Sequence, residues 1–377
     1  MFKKCVSATM VFVILFTSGF FISGSEAKEL NLSLNARAYV LMDPVSGRIL
    51  VEKNSEIRLP MASTTKIMTA IVALEKGDLN STVTVSRKAA SVRGSSFHLE
   101  PGETMSLESM LYGLLLPSGN DAAVAIAEHI GGDVKTFVEL MNLKAREIGA
   151  FNTHFKNPHG LDEPGHFTTA KDLALITRYA LNIPKFREIV RTKDIIITEG
   201  RRPRHIYNTN RLLRVSEEID GVKTGYTGKA GRCLVATAER NGMRLISVVL
   251  DAHDHFSNTL KLLNYGFSTY RLNKLVQKNN IYAAVPLKGG IINKAVLIAG
   301  EDVALPMRDG EKAHLKLVIP SFVPAPVFKD QVVGEIQVFI DGVLVRRVPL
   351  LSIQDIRKKT FFDRFYRIMM EWVTSGV

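Results

Sequence analysis

Residues 60–69 read Pro60-Met61-Ala62-Ser63-Thr64-Thr65-Lys66-Ile67-Met68-Thr69. Ile67, Met68, Ile71, Val72 and Leu74 recur at the helical period and Gly77 supplies a stop, so the stretch predicts a helix that Ser63 opens. Positions i and i+3 share a helix face, which brings the Ser63 hydroxyl to the Lys66 amine. A serine hydroxyl is a poor nucleophile until a neighbouring base takes its proton. A helix start adds a free backbone N–H and a positive dipole end, which suit a developing oxyanion and a lysine that must shed its proton. By itself the spacing is weak, because Ser25 to Lys28 has the same form.

Two more short motifs lie downstream. Ser118-Gly119-Asn120 follows Leu114-Leu115-Leu116-Pro117 and precedes a helix over Ala122 to Ile130. A turn there presents a hydroxyl and an amide to a cleft, although an ordinary helix cap has the same look and Ser33-Leu34-Asn35 repeats the form. Lys223-Thr224-Gly225 occurs once, between the turn-rich Asp220-Gly221 and a strand-like stretch. On a strand edge it offers a point charge, a hydroxyl and a glycine that lets a substrate backbone lie alongside. The plain alternative is a solvated lysine beside a turn.

Around these motifs the chain divides into regions. A hairpin is predicted from Tyr39-Val40-Leu41-Met42 through the turn Asp43 to Gly47 into Ile49-Leu50-Val51. Residues 63–180 read as mostly helical, with a third helix from about Val134 to Ile148 and a fourth starting near Thr169. Strand-like runs return at 233–238 and 244–250, and a helix at about 257–275 closes the domain. Strands at both ends of a helical middle predict an α+β domain over residues 28–278. Short alternating runs and Asp341-Gly342 between two of them predict a small all-β sandwich over 279–354.

With 46% hydrophobic and 23% charged residues in 377, the composition is that of a globular protein and excludes disorder, collagen and a polytopic membrane protein. The net charge of +12 predicts an anionic partner without naming it. Residues 185–214 alone hold nine Lys+Arg against three Asp+Glu. Lys3 and Lys4 precede an uncharged run from Cys5 to Gly24, and Ser25-Glu26-Ala27 offers small residues where a signal peptidase reads. Residues 1–27 are therefore expected to be a secretory signal peptide, the alternative being an uncleaved anchor. An exported protein meets little nucleic acid, so the basic surface is read against a wall or a membrane. In the tail, 355–377, helical winding gathers Phe361, Phe362, Phe365, Tyr366, Ile368, Met369, Trp372 and Val373 into one arc, opposite Arg357, Asp363, Arg364, Arg367 and Glu371. Such a helix is expected to lie in the membrane interface; it is too short and too charged to span. A helix docked on its own domain is the alternative.

Serine-x-x-lysine, then serine-x-asparagine, then lysine-threonine-glycine, in that order, is the signature of penicillin-binding proteins and serine β-lactamases. With Asn157-Pro158-His159-Gly160-Leu161 and Asp220 to Thr227, the sequence resembles the low-molecular-mass D-alanyl-D-alanine carboxypeptidases of bacterial wall maturation. The likeness extends to the β-sandwich and the amphipathic tail, which that family also has. It implies a β-lactamase/transpeptidase-like catalytic domain with a helical subdomain. It implies Ser63 as nucleophile towards the D-alanyl-D-alanine end of a peptidoglycan stem pentapeptide, Lys66 as its base and Ser118 as proton relay. Asn120 would hold the substrate amide, Lys223 and Thr224 the terminal carboxylate, and the N–H groups of Ser63 and Tyr226, beside Gly225, the oxyanion. β-Lactams would acylate Ser63. No cofactor or metal is implied.

The chain departs from the family where an arginine is expected after the lysine-threonine-glycine strand. Here Asp251-Ala252-His253-Asp254-His255 stands, and Arg211 is a candidate substitute. The same five residues superficially resemble a metal site, but strand alternation would split His253 from Asp254. Cys233 reads as a small core residue and His159 as structural. No Glu-x-x-x-Asn occurs between Asn120 and Lys223, which argues against a class A β-lactamase. A D,D-endopeptidase, and a weakly catalytic penicillin-binding wall protein, remain as alternatives.

Overall fold

The computed structural model of the protein describes residues 32–374. The signal peptide expected at 1–27 lies outside them. The chain forms two compact units that divide between Tyr270 and Arg271.

In the first unit, β1 (Ala36–Met42) and β2 (Ile49–Lys53) form the predicted hairpin. The helical middle contains α1 (Lys66–Lys76), α2 (Leu107–Leu115), α3 (Asn120–Gly131), α4 (Val134–Ile148) and α5 (Ala170–Ala180). The chain then returns to the sheet as β3 (Ile219–Thr227), β4 (Gly231–Arg240) and β5 (Met243–Ala252), and α6 (His255–Thr269) follows. The strands lie in the order β2-β1-β5-β4-β3, all antiparallel, so β3 with its lysine-threonine-glycine is an edge strand.

Both faces of this sheet are buried, which is why its strands read as continuous apolar runs. Ala38, Val40 and Met42 of β1 pack with the helical middle, and Tyr39 and Leu41 pack on the opposite face with Leu262 and Leu263 of α6. Cys233 falls on the helical side with no disulfide partner among the described residues, and burial pushes its thiol up to about 12, so it is the inert core residue expected. α1 runs through the middle of the subdomain, its first eight residues all buried. Side-chain caps set the starts of α4 and α5: the Asp133 carboxylate accepts from Thr136 N–H at 2.7 Å, and the Thr169 hydroxyl from Asp172 N–H at 3.0 Å. α4 ends at Gly149, whose φ of +89° closes the helix in the left-handed conformation.

Two boundaries differ from the sequence reading. The helix expected over 257–275 stops at Thr269, and Tyr270–Val276 is a strand paired with Val303–Arg308. Tyr270, Leu272, Leu275 and Val276 suit either period, so the run does not mark its own switch. The sequence reading does not separate α2 from the helical stretch around it. Its signal was present: Ser106 caps it, accepting from Ser109 N–H at 3.1 Å, and Leu107, Met110, Leu111 and Leu114 follow the helical spacing.

The second unit is the predicted β structure. A six-stranded sheet and the two-stranded pair just described enclose one apolar core, in which Val303, Leu305 and Met307 pack with Val285, Leu297, Ile336, Val338 and Val348. Asp341-Gly342 makes the turn between Val332–Ile340 and Val343–Ser352. The described residues end in a helix over Phe361–Thr374, preceded by Ile356, which is buried in this unit and bridges Val327.

Candidate active site

Ser63 lies in a 3-10 turn, Ala62–Thr65, that runs directly into α1. Lys66 is thus the first residue of the α-helix, and its Nζ stands 3.0 Å from Ser63 Oγ. The amine is fully buried and also donates to Asn120 Oδ1 and to the His159 carbonyl, each at 2.7 Å. Asn120 is held from its other end, its Nδ2 donating to Arg93 O at 2.7 Å. Burial pushes the Lys66 amine well below the ordinary lysine value; the charge of Lys223 adds to this and Asp121 opposes it.

Ser118 occupies the turn before α3 with φ +69°, and its buried Oγ has no hydrogen-bond partner among the described residues. The following Asp121 fixes this corner. Its carboxylate accepts from the N–H groups of Phe97, Leu99 and Ala122 and from Ser96 Oγ at 2.6 Å, so it ties the start of α3 to the loop around Phe97. Ser95 of that loop accepts from Asn120 N–H at 2.8 Å.

On β3, Lys223 is buried at 1% exposure, which removes the solvated-lysine alternative. Burial lowers its amine to about 7. Thr224 Oγ1 lies 2.7 Å from Thr209 Oγ1. Gly225 passes directly against the nucleophile turn: a Cβ there would sit 3.0 Å from Ser63 N and 3.1 Å from Ala62 Cβ and Met61 O. Glycine at this crossing lets β3 approach the 3-10 turn this closely. Ser63, Ser118, Thr224, Gly225 and Tyr226 line one cleft of about 860 Å³.

The structure brings the three motifs to that cleft and adds what spacing did not indicate. His159 contributes its carbonyl to Lys66, while its ring accepts from Leu161 N–H at 3.2 Å; burial takes the ring down to about 3, so it is neutral and structural. Asp251 and Ala252 end β5, and His253 and Asp254 turn the chain into α6, where Asp254 caps Ser257 N–H at 3.0 Å. Strand alternation thus does not govern His253 and Asp254. Both line the cleft, together with His255, Arg211 and Arg232. No carboxylate pairs with Arg211 among the described residues.

A serine–lysine pair at a helix start, facing an edge strand that carries lysine-threonine-glycine, defines the penicillin-interacting serine acyl-transfer enzymes. Residues 24–254 match the family model of D-alanyl-D-alanine carboxypeptidases, and residues 270–358 match that of the penicillin-binding protein 5 C-terminal domain. The chain belongs to the D-alanyl-D-alanine carboxypeptidase family. It is 35% identical to the D-alanyl-D-alanine carboxypeptidase DacF of Bacillus subtilis, over 98% of this chain and 99% of the relative. It is 36% identical to DacC of Escherichia coli, over 90% and 88%. Among solved structures, penicillin-binding protein 5 of Haemophilus influenzae is similar at 33% identity with a TM-score of 0.73, covering 86% of this chain and 98% of the other. The protein is a serine-type D-alanyl-D-alanine carboxypeptidase.

Proposed function

We propose that Ser63 Oγ attacks the carbonyl of the penultimate D-alanine of a peptidoglycan stem pentapeptide, that Lys66 takes the hydroxyl proton, and that Ser118 passes a proton to the departing D-alanine nitrogen. Water then cleaves the Ser63 ester and frees the tetrapeptide. The hydrogen-bond set of Lys66 carries this reading. A neutral amine has two protons and one lone pair; Asn120 Oδ1 and the His159 carbonyl take the two protons, and the lone pair is left for the Ser63 hydroxyl. The N–H groups of Ser63 and Tyr226 receive the oxyanion, and the crossing of Gly225 over Ser63 N supports that pairing. Lys223 and Thr224 bind the terminal carboxylate, with Arg211 from the same cleft supplying the second cation in place of the family's arginine. The test is a covalent one: benzylpenicillin should leave a single adduct, and digestion with mass spectrometry should place it on Ser63. An adduct on any other residue overturns the assignment.

The enzyme is further proposed to act outside the cytoplasmic membrane, held to its outer face by the terminal helix. Phe361, Phe362, Phe365, Tyr366, Ile368 and Trp372 are more than half exposed, and no helix among the described residues is long and apolar enough to cross a membrane. Ile356 belongs to the β unit, so a chain ending at Thr360 removes the helix alone. It should leave the membrane fraction for the soluble one with its carboxypeptidase rate unchanged; continued membrane retention rules the anchor out.

A further inference from the structure

His166 lies outside the three motifs, and none of the steps above uses it. It is buried at 6% exposure and both ring nitrogens are engaged. The Lys156 N–H donates to Nδ1 at 3.0 Å, so that nitrogen carries no proton. The proton is on Nε2, which donates to Thr65 Oγ1 at 2.8 Å. Thr65 Oγ1 in turn donates to the Ala62 carbonyl at 2.8 Å. A single hydrogen-bond chain thus runs from the backbone of Lys156 to the peptide unit that precedes the nucleophile.

That peptide unit is where the turn is most demanding. Ala62 has φ +48°, in the left-handed region that residues with a side chain rarely occupy. The loop above comes close to its carbonyl, so that a Cβ on Gly160 would lie 1.9 Å from Ala62 O. Orientation of this unit sets both the Ser63 N–H and the direction in which the Ser63 side chain leaves the backbone. Burial holds the His166 ring neutral down to about 4; His154 adds to this and Asp162 opposes it. The ring therefore keeps one donor and one acceptor across the neutral range.

We propose that His166 is a positioning residue for the nucleophile: through Thr65 it holds the Ala62 carbonyl and with it the attack geometry of Ser63. The inference rests on the reading of Ser63 given above. It is tested on the full chain with His166→Ala, His166→Gln and Thr65→Val, measuring D-alanine release from a peptide ending in D-Ala-D-Ala and the rate of acylation by benzylpenicillin. His166→Ala and Thr65→Val should each lower kcat and acylation about ten- to a hundred-fold, the scale of a small misplacement of reacting groups, with KM nearly constant. His166→Gln should recover most of the loss, because its amide oxygen accepts from Lys156 N–H while its NH₂ donates to Thr65. The double variant His166→Ala/Thr65→Val should be no worse than either single one. Wild-type rates in a folded His166→Ala, a glutamine variant as impaired as alanine, or a loss confined to KM each overturn the proposal. Should His166→Ala fail to fold, Thr65→Val and His166→Gln carry the same comparison. No release by the unaltered chain overturns this reading and the Ser63 reading together, whereas full activity in His166→Ala overturns this one alone.

Discussion

Ser63→Ala should abolish covalent labelling by benzylpenicillin and lower D-alanine release from a D-Ala-D-Ala peptide by about 10⁴-fold or more, the scale seen when a serine hydrolase loses its nucleophile. The size follows from what is removed. Without Oγ no acyl-enzyme forms, and water would have to attack the amide directly in a cleft whose base is aimed at a side chain rather than at solvent. The proposed oxyanion donors and carboxylate-binding cations stay in place, so substrate should still bind and KM should change little. The fold is spared as well: Ser63 is only partly buried, and among the described residues its hydroxyl hydrogen-bonds Lys66 alone, while that amine keeps Asn120 Oδ1 and the His159 carbonyl. Release at the wild-type rate by Ser63→Ala would falsify the nucleophile assignment.

What the sequence exposes and what it conceals divide along physical lines. The Ser63–Lys66 pair was readable because helical geometry fixes an i, i+3 contact whatever the rest of the chain does. The edge position of Lys223 followed from glycine and flanking strand-like residues, but its burial did not, since that depends on what covers the strand. The two carbonyls on Lys66 differ in the same way. Asn120 stood in a motif, whereas the His159 oxygen is a backbone atom 93 residues away, and backbone atoms carry no residue identity. His166 reaches Thr65 across 101 residues and belongs to no short pattern. Helix and strand ends were least visible where apolar residues suit both periods, as between Tyr265 and Val276. The turn at His253-Asp254 was hidden because β5 stops at Ala252, one residue before the alternation would have mattered.

Lys66→Arg separates a charge from a base. Arginine keeps the cation and the hydrogen-bonding capacity, but it does not deprotonate in proteins. If Lys66 served only as a positive charge near the oxyanion, the substitution would be tolerated. As the acceptor of the Ser63 proton it cannot be replaced by arginine, and acylation by benzylpenicillin should fall about 10³-fold, within the range general-base catalysis supplies. The site favours the neutral form on its own: burial lowers the amine first and Lys223 second, against the opposing pull of Asp121. The pH profile of kcat/KM then has a definite sign. A base works unprotonated, so the rate rises with pH as Lys66 loses its proton. A carboxylate-binding cation works protonated, so the rate falls as Lys223, lowered to about 7 by burial, loses its own. In Lys66→Arg the residual activity should keep the descending limb and lose the ascending one. Retention of more than about a tenth of the wild-type acylation rate would be too much for a variant without its base, and it would move the proton acceptor to another group in the cleft.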